Sequence, residues 1–214
     1  MKKLNISQEL TLILVAIAPL AYLAYVWSGL PETVPVHFNA AGEIDRYGSK
    51  MEIFWLVLIM TIFTYGIMAV VQLIDPKQKI HLMGNKYWIL RLIIVGFIAV
   101  ICFVIINSAI NESINDLWLF GSFSVMFMAL GNYLQTVPPN YFVGVRTPWT
   151  LESPEVWKKT HRVSGRMMMM VGLILFLLIF ILPPEIYIWA FLGIISLMSV
   201  FMVLFSYQTF QAQK

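Results

Sequence analysis

LIIVGFIAVICFVIINSAIN, residues 92–111, runs for 20 positions without a charged side chain. About 20 apolar residues are what a helix needs to cross the hydrocarbon core of a bilayer, with about 17 to 25 tolerated. Five more charge-free stretches flank this one. They lie between Glu9 and Glu32, Glu52 and Asp75, Asp116 and Arg146, Arg166 and Glu185, and Glu185 and Lys214, and contain 22, 22, 29, 18 and 28 residues. Each can hold one crossing and none can hold two. The expected fold is an all-α integral membrane protein with six transmembrane helices.

Composition points the same way. The 214 residues are 60% hydrophobic and 12% charged, where soluble domains carry about a quarter charged residues. Trp27, Trp55, Trp88, Trp118 and Trp189 fall near the ends of apolar segments, as amphipathic rings do at the headgroup layer. The basic residues set an orientation. With the N-terminus inside, Lys2, Lys3, Lys77, Lys79, Lys86, Arg91, Arg146, Lys158, Lys159, Arg162, Arg166 and Lys214 face the cytoplasm, and only Arg46 and Lys50 face out. The expected topology is therefore N-in/C-in and multi-pass. The first apolar run continues past Ala16-Ile17-Ala18 and Pro19 to Trp27, which reads as a retained helix. Cys102 is the one cysteine, so no internal disulfide and no thiol–metal motif is available.

The expected helices are Leu10–Trp27, Met51–Ile74, Tyr87–Ile110, Asp116–Thr136, Val163–Leu182 and Glu185–Phe210. They divide into an N-terminal two-helix unit, 1–75, with an extracytoplasmic loop 29–50, and a four-helix unit, 76–214, with a cytoplasmic motif 137–166. In the outer loop, Val36 and Phe38 alternate with His37 and Asn39, a strand-like period of two. A turn over Ala40–Glu43, with Gly42 supplying a permissive backbone, predicts a short hairpin on the membrane surface. His37, Asn39, Asp45 and Lys50 are its candidate binding residues. One His and one Asp make an incomplete ligand set, so no metal is assigned. A plain connector is the competing reading.

In the cytoplasmic motif, Ser153-Pro154-Glu155 reads as N-cap, first-turn proline and first-turn acid. The helix starting there is expected to run directly into the fifth crossing. Lys158, Arg162 and Arg166 share a face at four-residue spacing, beside the pair Trp157 and His161. That basic stripe suits either anionic headgroups or a docked partner. Asn140, Arg146, Thr147, Trp149, Trp157, His161 and Arg162 are the candidate binding residues here, with Arg146 able to clamp an anion through two donors.

No ionisable residue is expected at the middle of a helix, which disfavours proton relays and coupled transport. Gln72, Asn107, Asn132, Gln135 and Gln208 fall toward helix ends, and Ser196 and Ser199 are expected to help the last helix pack closely. His-Glu-x-x-His, Gly-x-Ser-x-Gly and Gly-rich phosphate loops do not occur, so no catalytic residue and no cofactor is assigned.

Taken together, Asn140, Gly144-Val145-Arg146-Thr147-Pro148-Trp149-Thr150, Ser153, Trp157, His161-Arg162 and Gly165 resemble the signature of the SdpI family of bacterial membrane proteins. Leu30-Pro31, Pro35-Val36-His37-Phe38-Asn39, Gly42, Asp45 and Ser49-Lys50 resemble the uncharacterised domain that often precedes it. The resemblance implies toxin resistance and signal transduction: immunity against a secreted, membrane-acting killing peptide, with a cytoplasmic repressor held at the membrane as partner. The missing catalytic templates make enzyme activity the weaker reading, and no direct nucleic-acid contact is expected. The alternative is a membrane-embedded enzyme or lipid-handling protein acting at the headgroup interface.

Overall fold

The structure, a computed structural model, describes residues 5–39, 41–75 and 83–213. Lys2, Lys3, Lys77, Lys79 and Lys214, which enter the orientation argument, lie outside the described residues, as does Ala40 of the hairpin turn.

Among the described residues, six helices are long and apolar enough to cross a membrane. They belong to α1 (Ile6–Val26), α2 (Lys50–Ile74), α3 (Asn85–Asn111), α4 (Asp116–Leu134), α6 (Pro154–Leu178) and α7 (Pro184–Gln211). The short α5 (Pro148–Glu152) precedes α6, and β1 (Thr33–Phe38) and β2 (Ile44–Ser49) stand between α1 and α2. The protein is a six-helix membrane protein, as the charge-free stretches predict.

Local chemistry accounts for the boundaries. At α2 the Ser49 side chain accepts from the Met51 amide while Glu52 accepts from the Ser49 amide at 3.2 Å, two otherwise orphaned donors satisfied together. The N-cap at Ser153 forms as expected, and α6 continues without interruption from the motif into the membrane. It stops at Leu178, four residues before the expected end. The chain tightens into i→i+3 bonds from Phe180 to Leu177 and Ile181 to Leu178 ahead of Pro183-Pro184.

Helix α3 is the shared wall. It packs against α1 and α2 on one side and α4 on the other. At the hairpin end, Leu23, Leu30, Val34, Ile53, Val57, Cys102 and Ile106 form one cluster. At the other end Tyr87, Leu90, Tyr133, Leu134, Val137 and Trp157 form another. The tightest pair is α4 against α6. A Cβ on Gly131 would lie 2.6 Å from the Gly165 carbonyl, one on Gly165 would lie 2.5 Å from the Gly131 carbonyl, and one on Gly172 would lie 2.8 Å from the Ser124 carbonyl. Small residues admit such backbone contact, the means by which helices adhere where lipid removes the hydrophobic drive.

Helix α7 is peripheral; it packs against α5 and α6, and its Tyr187 and Phe191 rings meet Phe120, Phe123 and Phe127 of α4. It packs through Tyr187, Met198, Met202 and Ser206. Ser196 and Ser199 are exposed on other faces, and Ser199 bonds its own helix at Ile195, so the close-packing role expected for them is not met.

Candidate functional site

The hairpin between α1 and α2 is an ordered antiparallel pair. Thr33 faces Ser49, Pro35 faces Tyr47 and Phe38 faces Ile44, with a bulge around Val36 and His37. Asn39 builds its turn: its Oδ1 accepts from the Ala41 and Glu43 amides at 2.9 and 3.0 Å, and its Nδ2 donates to Glu43 at 2.9 Å. Gly42 completes the turn at φ +80°, a backbone position that suits glycine. Val34 and Leu30 pin the hairpin into the apolar cluster above α2 and α3.

Of the four candidate residues on this loop, the structure brings two together. His37 Nδ1 lies 2.6 Å from Asp45 Oδ1 across the strands, and both side chains face solvent. Asn39 instead serves the turn. Lys50 pairs with Glu32 at 2.8 Å and lies over the Trp27 ring at 5.1 Å. Arg46 is held by Glu52 at 3.0 Å.

The second candidate surface is layered. Its inner layer is a set of buried polar side chains that fix the loop's shape. Asn140 accepts from the Phe142 and Val143 amides at 2.8 and 2.7 Å and donates to the Pro138 and Val143 carbonyls at 2.9 and 3.1 Å. His161 is buried and stacked on Trp157, with centroids 3.9 Å apart. Its Nε2 accepts from the Val145 amide at 3.0 Å, so the ring proton sits on Nδ1, which donates to the Trp157 carbonyl at 2.8 Å. Trp157 Nε1 donates to the Val137 carbonyl at 2.9 Å. Both ring nitrogens of His161 are thus spent on the backbone. Trp157 and His161 are both buried and frame the site from behind.

Gly144 explains why the loop can close on that ring. At φ +116°, its Cα lies so near His161 that an added Cβ would collide with Nε2. Thr147 and Thr150 close the next turn as a reciprocal cap. Thr147 also reaches Ser206 Oγ at 3.4 Å, and Trp149 Nε1 donates to Ser206 Oγ at 2.6 Å, which fastens α5 to α7. Nothing about Ser206, one hydroxyl inside an apolar run, marks that role in the sequence.

The outer layer is cationic. Arg146 is exposed and donates to the Tyr141 carbonyl. Arg162, Lys158 and Arg166 project from α6 as exposed residues on the expected face. Lys159 is paired with Glu155 at 2.9 Å. The geometry is a rigid loop, fixed from behind, that presents guanidinium groups.

A third polar feature escaped the sequence. Arg91 of α3, 3% exposed, makes two parallel hydrogen bonds to the Glu9 carboxylate of α1. Tyr65 of α2 donates to the same carboxylate at 3.2 Å and offers its ring face to the guanidinium. Read one at a time, Glu9 and Arg91 are the edges of two charge-free stretches. The spacing of 82 positions hides their pairing.

Comparison with known proteins agrees with this layout. Residues 136–208 match the SdpI/YfhL protein family, and residues 14–61 match a domain of unknown function, DUF1648. Immunity protein SdpI of Bacillus subtilis is 25% identical over 153 residues, 71% of this chain and 71% of that protein. An uncharacterized protein of Archaeoglobus fulgidus is 45% identical over 65 residues, 30% of this chain and 36% of that protein. No solved structure matches. The chain is a multi-pass membrane protein that carries an SdpI/YfhL-family segment behind a DUF1648 segment and is homologous to an immunity protein.

Proposed function

We propose that this protein confers immunity against a secreted, membrane-acting killing peptide and signals that encounter by holding a cytoplasmic repressor at the membrane. The observation that carries the reading is the layered motif within residues 136–208: a loop locked by Asn140, Trp157 and His161 that displays Arg146 and Arg162. A loop serving only as a connector has no need of that rigidity. Preorganised guanidinium groups suit planar, two-point recognition of carboxylates on a protein partner, which lysine cannot copy.

In this reading the chain lies N-in/C-in, with the DUF1648 hairpin outside as the peptide-facing element and the cationic motif inside. The twelve-to-two distribution of basic residues supports that orientation. His37 and Asp45, exposed and paired, are the hairpin's contact residues. The two-helix unit senses and the four-helix unit transmits, with α3 packed against both. The role is non-enzymatic. Deletion of the gene should sensitise its host to killing peptides from neighbouring strains, and re-expression should restore growth. Unchanged survival across such a panel would remove the immunity reading.

A further inference from the structure

A groove runs down the seam between α3 and α4, and its chemistry changes along its length. The section within the membrane, about 490 Å³, is lined by apolar and small residues including Ile93, Gly96, Phe97, Gly121, Val125 and Phe176. The section at the hairpin end, about 740 Å³, is lined by Asn107, Ser108, Asn111, Ser113 and Asn115. Val100 and Trp118 line both sections, so the two are continuous. Both volumes lie in the range of small-molecule sites.

The polar mouth is partly uncommitted. Asn107 accepts from Tyr22 at 3.1 Å and donates to Phe103, and Asn115 caps α4. Ser108 is only 6% exposed, and its hydroxyl takes no hydrogen bond among the described residues. Among the described residues, no Lys, Arg or His lines either section. Two acids flank the mouth instead: Glu112, exposed in a left-handed C-cap between the lining residues Asn111 and Ser113, and Asp116, next to Asn115.

We propose that this groove is a binding site for one phospholipid with a zwitterionic, ammonium-bearing headgroup. Its head lies among the asparagines and its chain lies along the apolar section. Length supports a lipid. Along α4 the lining runs from Asn115 to Ala129, ~21 Å at ~1.5 Å per residue, the length of a single leaflet at half of ~40–45 Å. Chemistry disfavours an extended peptide in the lower section, because its polar side-chain groups among the described residues are the Ser122 hydroxyl, which already donates to Leu119 at 2.7 Å, and the Trp118 indole N–H at the boundary with the polar section. A peptide backbone there would leave amides unpaired in hydrocarbon, whereas an acyl chain has none. Charge selects the head. Amide and hydroxyl groups can bond a phosphate, Glu112 and Asp116 attract an ammonium, and an anionic head without one meets only carboxylates. Exposed Trp118 and Val125 leave the groove open sideways to the bilayer.

The test uses the purified full-length protein in detergent with an equimolar mixture of phosphatidylethanolamine and phosphatidylglycerol bearing identical chains, read by native mass spectrometry. The expected result is retention of the former over the latter by roughly fivefold or more, the ratio one headgroup charge contributes. Gly96 has open space where a side chain would stand, so Gly96→Leu should fill the apolar section and lower retention of both lipids. Val125→Trp at the rim gives a second plug should the first variant not fold. Glu112→Lys should turn the preference toward phosphatidylglycerol. Equal retention of the two lipids by the wild type, or retention indifferent to both plugs, overturns the proposal. A co-purified peptide that displaces lipid and depends on Gly96 also overturns it. None of these outcomes depends on the immunity reading.

Discussion

Arg91 of α3 grips Glu9 of α1 through both terminal nitrogens, and Tyr65 of α2 closes the group from the third helix. The guanidinium is buried and the carboxylate partly so, and the pairing offsets the desolvation that the guanidinium alone would suffer. Glu9→Leu, which strands the buried guanidinium, should therefore destabilise the protein by about 3–5 kcal/mol, and Arg91→Leu by less because Glu9 keeps contact with solvent, both seen as lost accumulation in membranes and a lowered Tm. The double variant Glu9→Leu/Arg91→Leu should recover most of that loss. A double variant as unstable as either single one would mean that the pair supplies more than mutual neutralisation.

Gly144 faces a steric test of its own. Its φ of +116° disfavours any side chain, and a Cβ would strike His161 Nε2. Gly144→Ala should cost about 1–3 kcal/mol from the backbone alone, with further loss from the collision. Adding His161→Ala should relieve the collision and leave the backbone cost. Thermal unfolding of the wild type, the two single variants and the double variant separates the two contributions, and additive losses would argue that the residues do not meet.

The α4–α6 seam predicts that glycines of one composition behave differently by position. Gly165→Ala must push apart two backbones already in contact, at about 1–3 kcal/mol. Gly66→Ala, in α2 with nothing within 4 Å of its added Cβ, should be neutral or stabilising by up to about 1 kcal/mol. Similar Tm shifts in the two variants would contradict the close approach.

These sites divide by how far apart in the chain their parts lie. The six crossings, the hairpin and the N-cap at Ser153 were legible because each is written in a short window: an apolar run, a period of two, a Ser-Pro-Glu triplet. The Glu9–Arg91 pair, the Ser206 anchor for Trp149 and the Gly131–Gly165 contact join residues from different helices, and hydropathy carries no information on which helices are neighbours. Burial within the motif was equally hidden. His161 and Arg162 are adjacent in the chain, yet one is sealed beneath the loop and the other exposed, because α6 turns ~100° per residue.

Orientation is checked by labelling. Glu43, in the hairpin turn, and Glu155, at the start of α6, are both exposed and lie at opposite ends of the bundle. In a Cys102→Ala background, Glu43→Cys should react with an impermeant thiol reagent in intact cells and Glu155→Cys should not. Labelling of Glu155→Cys alone would invert the topology and put the cationic motif outside.

The cationic layer of the motif yields the sharpest functional test, because two residues of equal charge have different surroundings. Arg146 leaves a loop held rigid by Asn140 and His161, and one of its donors already bonds the Tyr141 carbonyl. Lys158 projects from α6 as an exposed residue with no shape imposed on its head. If the motif docks a repressor, Arg146→Lys should abolish capture of that repressor from membranes, since lysine keeps the charge but loses the planar fork. Lys158→Arg should leave capture within about twofold, as expected where net charge governs attraction to headgroups. Tm separates docking from folding: Arg146→Lys should shift it by no more than about 0.5 kcal/mol equivalent, the range for surface substitutions. A large Tm loss would make Arg146 a strut for the loop through Tyr141. Tolerance of Arg146→Lys in both measurements would reduce the whole cationic face to a membrane anchor.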